Sequence, residues 1–213
     1  MDFDLATMAI VFGAIFLVEL PDKTFIATLV LATRFRPLYV WIGVCLAFAV
    51  QTIVAVTVGG LLAQLPKRPV EVFAAVLFLV GGVILIRGAG HADEEEAETE
   101  EEFSHKGAAT AVGLRAVGVS FGVLFLAEWG DLSQLLTASM VLQFKEPVSV
   151  FIGAFLALAT VSALAAVSAL GAVLGRTLLK RIKLATIRRI GGGVCLLLAT
   201  MSLLQVANVS LTL

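Results

Sequence analysis

Charge, cysteine and histidine are all scarce in this chain. Charged residues make up 15% of its 213 positions, and there are two cysteines and two histidines. With 60% hydrophobic residues and a mean hydropathy of +1.04, the composition is that of a polytopic membrane protein. The length accommodates about six spans of roughly 20 residues and leaves no room for a large soluble domain. Cys45 and Cys195 both fall in apolar segments, which argues against a structural disulfide. Neither a basic n-region nor a small-residue cleavage site accompanies the start, Met1-Asp2-Phe3-Asp4, so the first apolar run is expected to stay as a span. No nucleotide-binding loop and no nucleophile arrangement occurs. Neither enzymatic chemistry nor a nucleic-acid partner is therefore expected, and no cofactor is expected.

Long apolar windows are what the chain does have, near residues 5–32, 38–63, 70–87, 113–141, 147–175 and 186–209. Runs of this length read as membrane helices rather than strands, because only helices and closed barrels satisfy their backbone in lipid. The expected fold class is all-α integral membrane with six transmembrane helices. The net charge of −1 hides a segregated pattern, since eight acids crowd residues 93–102: Asp93, Glu94, Glu95, Glu96, Glu98, Glu100, Glu101 and Glu102. Their density predicts a solvated, disordered linker.

The two halves resemble each other at an offset of about 109. Phe16-Leu17 matches Phe125-Leu126, Glu19 matches Glu128, Asp22 matches Asp131, Thr24 matches Ser133 and Thr28 matches Thr137. Small indels then pair Pro37 with Pro147, Gly43 with Gly153, and Gly81-Gly82 with the glycines at 191–193. Three spans per repeat is an odd number, so the second repeat enters the membrane from the opposite side. The expectation is two inverted-topology three-helix repeats, residues 1–90 and 107–213, joined by an acidic cytosolic linker over 91–106. Eleven basic residues flank the 1–2, 3–4 and 5–6 loops, whereas only Lys67, Arg68 and Lys145 lie on the other side. The positive-inside rule then places both termini outside the cytosol.

Within these apolar runs stand two acidic signatures, Glu19-Leu20-Pro21-Asp22-Lys23-Thr24 and Glu128-Trp129-Gly130-Asp131-Leu132-Ser133. A carboxylate at bilayer depth costs about 2.5–3.5 kcal/mol on insertion scales, so four would cost roughly 10–14 kcal/mol without a function. Three residues is about 300° of helix, which sets each Glu and Asp on one face, one turn apart. Carboxylates with nearby hydroxyl and amide oxygens suit a hard divalent ion such as Ca²⁺ or Mn²⁺, and the absence of His and Cys argues against zinc or copper(I). The expected metal ligands are Glu19, Asp22, Glu128 and Asp131, with Thr24, Ser133 and Gln134 as further candidates. The same four acids, crowded and away from water, would take up protons when no metal is bound and release them to an entering ion. Pro21 is expected to break the first helix, and Gly130 permits a break in the fourth. Lys23, four residues after Glu19, is placed to pair with it and modulate the site charge. Its repeat counterpart is Leu132, and that of Gln134 is Phe25, so the halves are chemically unequal.

These signatures carry a family resemblance. The chain resembles the membrane cation transporters with a repeated E-x-G-D-[KR]-[ST] motif, relatives of Golgi and chloroplast manganese/calcium transporters and bacterial manganese exporters. Pro21 stands where the family has glycine and Leu132 where it has a basic residue. The resemblance implies export of Mn²⁺ from the cytosol driven by proton entry, in a bacterial plasma membrane. A Ca²⁺/H⁺ antiporter is the alternative within that class, and a non-transporting intramembrane metal sensor or scaffold the alternative outside it. The partners expected are the lipid bilayer and divalent cations. A monomer suffices for a pathway, and a homo-oligomer is compatible with it.

Other polar residues have a plainer reading. Gln51, Thr52, Thr57, Thr160 and Ser162 either line the pathway or bond helix to helix, and Trp129 either touches the pathway or packs. Gly118-x-x-x-Gly122 and Gly171-x-x-x-Gly175 are expected at close helix contacts. The basic run from Arg176 to Arg189 reads as a topology signal in contact with lipid headgroups.

Overall fold

The computed structural model describes residues 4–20, 22–91, 98, 101, 113–174 and 184–211. Among them are eight helices: α1 (Leu5–Glu19), α2 (Lys23–Arg34), α3 (Pro37–Leu62), α4 (Lys67–Gly88), α5 (Leu114–Ala127), α6 (Leu132–Phe144), α7 (Pro147–Leu174) and α8 (Leu184–Leu211). No strand occurs among the described residues, as expected for a membrane protein of helices. Among the described residues, three helices are long and apolar enough to cross a membrane: Pro37–Leu62, Glu71–Gly88 and Pro147–Ala169. The count reaches five if α1 with α2, and α5 with α6, are each one span bent by 69° and 72°. The sixth apolar window is helical as α8.

Helix α3 carries no charged residue, so charge does not choose its buried face. In α3 the inward stripe is Val40, Gly43, Val44, Ala47, Phe48, Gln51, Thr52, Ala55 and Gly59, while Leu46, Val50 and Ile53 stay exposed. That is the distribution expected where lipid tails, not water, meet the outer face, and small residues let backbones approach.

Two close approaches recur in matched positions. A side chain at Gly43 of α3 would strike the Val117 carbonyl of α5 and lie 2.9 Å from Ser120 Cβ. At Gly153 of α7 it would meet the Met8 carbonyl of α1 at 2.6 Å and Val11 Cβ at 3.0 Å. The first helix of each half is thus seated on the second helix of the other. Gly82 of α4 and Gly192 of α8 meet each other, each leaving only 3.0 Å between a built Cβ and the opposing carbonyl.

Close packing does not extend to Gly118 and Gly122, around which nothing lies within 4 Å of a built Cβ. The reason is helical phase: α5 buries Ala116, Ser120 and Leu124, and the two glycines fall on its other side, along an open groove. Gly175, Pro21 and the acidic tract other than Glu98 and Glu101 lie outside the described residues.

Candidate metal centre

Both signatures sit at the bends. Glu19 is the last residue of α1, and Asp22 is the N-cap of α2, its Oδ1 accepting from the Lys23 amide at 2.8 Å. In the second half Glu128 is the C-cap of α5 and Asp131 the N-cap of α6, accepting from the Ser133 amide at 3.5 Å. The local cause is chemical: aspartate satisfies orphan amides at a helix start and complements its positive end. Gly130 reverses the chain at φ +79°, a conformation that costs an L residue roughly 1–2 kcal/mol.

At the crossing of the two bends, one carboxylate oxygen from each of Glu19, Asp22 and Asp131 lies within 4.8 Å of the other two. Opposite oxygens around Ca²⁺, each at about 2.4 Å, stand about 4.8 Å apart, so one divalent ion can reach all three. Glu128 is not part of this triangle; it is buried beside it, 3% exposed, with Oε1 unbonded. Glu19 is 1% exposed and neither of its carboxylate oxygens has a hydrogen-bond partner. Buried carboxylates without donors are costly unless a cation or proton joins them.

The hydroxyls cross over between the halves. Ser133 faces the Glu19 carboxyl and Thr24 faces that of Glu128, close enough to interact. Hydrogen-bond geometry is not completed in either case, and the Thr24 hydroxyl has no partner. Gln134 is placed differently from the ligand expected of it. Its Nε2 donates to the Glu128 carbonyl at 2.8 Å and its Oε1 accepts from the Gly130 amide at 3.2 Å, so its amide staples the second bend. The Lys23–Glu19 pair expected of an unbroken helix is not made: both Glu19 oxygens are unpartnered, and Lys23, the exposed first residue of α2, lines the cavity beside Asp22 instead.

Gln51 donates to the Phe125 carbonyl at 3.1 Å, tying α3 to α5 one turn before Glu128. Thr57, Thr160 and Ser162 bond back to carbonyls of their own helices. Thr52 is buried with its hydroxyl unpaired. Trp129 is 57% exposed and packs against Phe125 at a tilt, with ring centroids 4.9 Å apart and planes at 55°.

A cavity of about 380 Å³ opens onto the centre. Asp22, Lys23, Gly130 and Asp131 line it, together with Leu77, Val80, Ile84 and Gly88 of α4 and Arg188 of α8. Arg188 is the functional candidate that sequence reasoning missed. It belongs to the basic run in the sequence, but α8 begins at Leu184 and carries it into a helix rather than a loop.

The family model for the divalent cation/proton antiporter GDT1 matches residues 7–93 and 116–210. The chain belongs to that family. It is thus a member of a family of transmembrane antiporters, not of enzymes. It is 31% identical over 216 residues to the chloroplastic protein PAM71 of Arabidopsis thaliana, an alignment covering 92% of this chain and 56% of the relative. To the GDT1-like protein sll0615 of Synechocystis it is 34% identical over 130 residues, covering 57% and 63% of the two chains. To the chloroplastic GDT1-like protein 1 of Oryza sativa subsp. indica it is 29% identical over 227 residues, covering 96% and 64%. The alignments thus span about 56–64% of the length of these relatives. No solved structure matches the chain.

Proposed function

We propose that this protein exchanges a divalent cation for protons across the membrane, with Mn²⁺ leaving the cytosol as protons enter. One observation carries the reading: Glu19, Asp22 and Asp131 bring carboxylate oxygens within 4.8 Å of one another at the crossing of two bent helix pairs. Glu128 completes a set of four acids that would alternately hold a metal and protons, with Thr24 and Ser133 as supplementary oxygens. Four carboxylates exceed the charge of one divalent ion, so proton uptake on metal release is the route to a neutral empty site.

The architecture proposed is six spans in two inverted three-helix repeats, 1–90 and 107–213, joined by the linker 91–106. The matched contacts of Gly43 and Gly153, and the mutual approach of Gly82 and Gly192, support it. With the basic loops in the cytosol, both termini lie outside it, in a bacterial plasma membrane. The cavity then opens on the cytosolic side, as loading for export requires.

The test is transport by purified protein in proteoliposomes, with lumenal pH and Mn²⁺ both followed. Expected is proton movement that depends on Mn²⁺, abolished in Glu19→Gln and Asp131→Asn proteins that still purify as folded monodisperse species. Metal flux without proton movement, or near-normal flux in either variant, would refute the exchange centred on these acids. Competition by Ca²⁺ and Mg²⁺ in the same vesicles assigns the ion.

A further inference from the structure

Arg188 is an odd residue to find in the path of a cation. It lies in α8, is 8% exposed, and lines the same cavity as Asp22 and Asp131. Its Nη1 donates to the Gly88 carbonyl at 2.9 Å, at the last residue of α4. Three residues on, Gly191 packs against the Leu17 carbonyl at 3.1 Å from a built Cβ, fixing α8 to the end of α1 just before Glu19. Arg188 therefore stands about 4.5 Å of helix rise from that contact. It is also near enough to Asp22 for the two charges to interact.

We propose that Arg188 is a fixed counter-charge that limits how tightly the acidic centre holds its divalent ion. The inference rests on the exchanger reading above and names the residue that tunes affinity. Its guanidinium brings a full positive charge into the cavity that the two aspartates line. A free arginine near a helix end would snorkel to water; the Gly88 carbonyl, which accepts from it at the helix C-terminus, keeps this one in the cavity. There it neutralises part of the acid charge before the ion arrives and repels the ion once bound. A carboxylate cluster without such a charge would bind more tightly and release more slowly, and a transporter needs release.

Isothermal titration with MnCl₂ on the purified full-length protein reads this separately from flux. Arg188→Gln, and Arg188→Met as a second variant keeping length and packing, are expected to bind Mn²⁺ roughly tenfold tighter. In proteoliposomes they should show a lower KM and a lower maximal rate. Arg188→Lys, which keeps the charge and loses the fork, should bind within about threefold of the parent. Unchanged or weaker binding in both neutral variants, or equal effects of Lys and Gln, would overturn the proposal and leave Arg188 a tie between α4 and α8. If the parent binds Mn²⁺ without moving protons, the exchanger reading fails while these affinities still decide the role of Arg188.

Discussion

Asp22 and Asp131 each cap a half-helix with one oxygen, which leaves the other for the proposed cation. The two roles separate by mutation. Asparagine caps as well as aspartate, whereas alanine at an N-cap costs about 0.5–2 kcal/mol. Asp22→Asn should therefore abolish metal-dependent transport with an unchanged melting temperature in detergent, and Asp22→Ala should lose transport and melt earlier. Equal melting of the two would mean the cap contributes nothing to stability. Glu128 differs in standing outside the triangle of oxygens. Glu128→Gln is expected to weaken Mn²⁺ binding less than tenfold in calorimetry, against a larger loss for Asp131→Asn. The reverse order would place the ion nearer Glu128.

At the level of helices, the bends at the two signatures were legible in the sequence. Pro21 and Gly130 are residues that interrupt helices, and acids at bilayer depth mark where such an interruption serves a purpose. Less legible was the consequence of each bend for neighbouring side chains. The Lys23–Glu19 spacing supports an ion pair only if helical phase continues through residue 21, and the bend destroys that phase. Gln134 read as a ligand because its side chain carries an oxygen; its use as a backbone staple depends on the turn at Gly130, which periodicity does not describe. The glycines at 118 and 122 have the spacing of a packing motif, yet that spacing does not say which face of α5 turns inward. Gly43 and Gly153, single glycines with no motif around them, are in close contact instead. Gly153→Leu is expected to destabilise the protein by about 1–3 kcal/mol through overpacking against α1. A thermal shift in detergent measures it, and an unchanged melting point would mean that α1 and α7 are not in this contact.

For the molecule as a whole, composition sufficed to place the chain in a membrane, and loop charge proposed its orientation. The acidic tract is proposed as the linker between the two repeats. Deleting residues 93–102 should leave transport within about twofold of the parent; complete loss would give the tract a role in the core activity. The cavity has an electrical consequence. Water filling the cavity would carry the potential of the compartment it opens to down to Asp22 and Asp131, which line it. Beyond them, Leu136 through Leu142 of α6 are all buried. On the proposed transport reading the membrane voltage would fall mainly across this packed half, where a doubly charged ion would meet about 4.6 kcal/mol of electrical work per 100 mV. Loading from the cavity should be nearly indifferent to voltage, and the voltage sensitivity of the cycle should reside in the passage through the dry half.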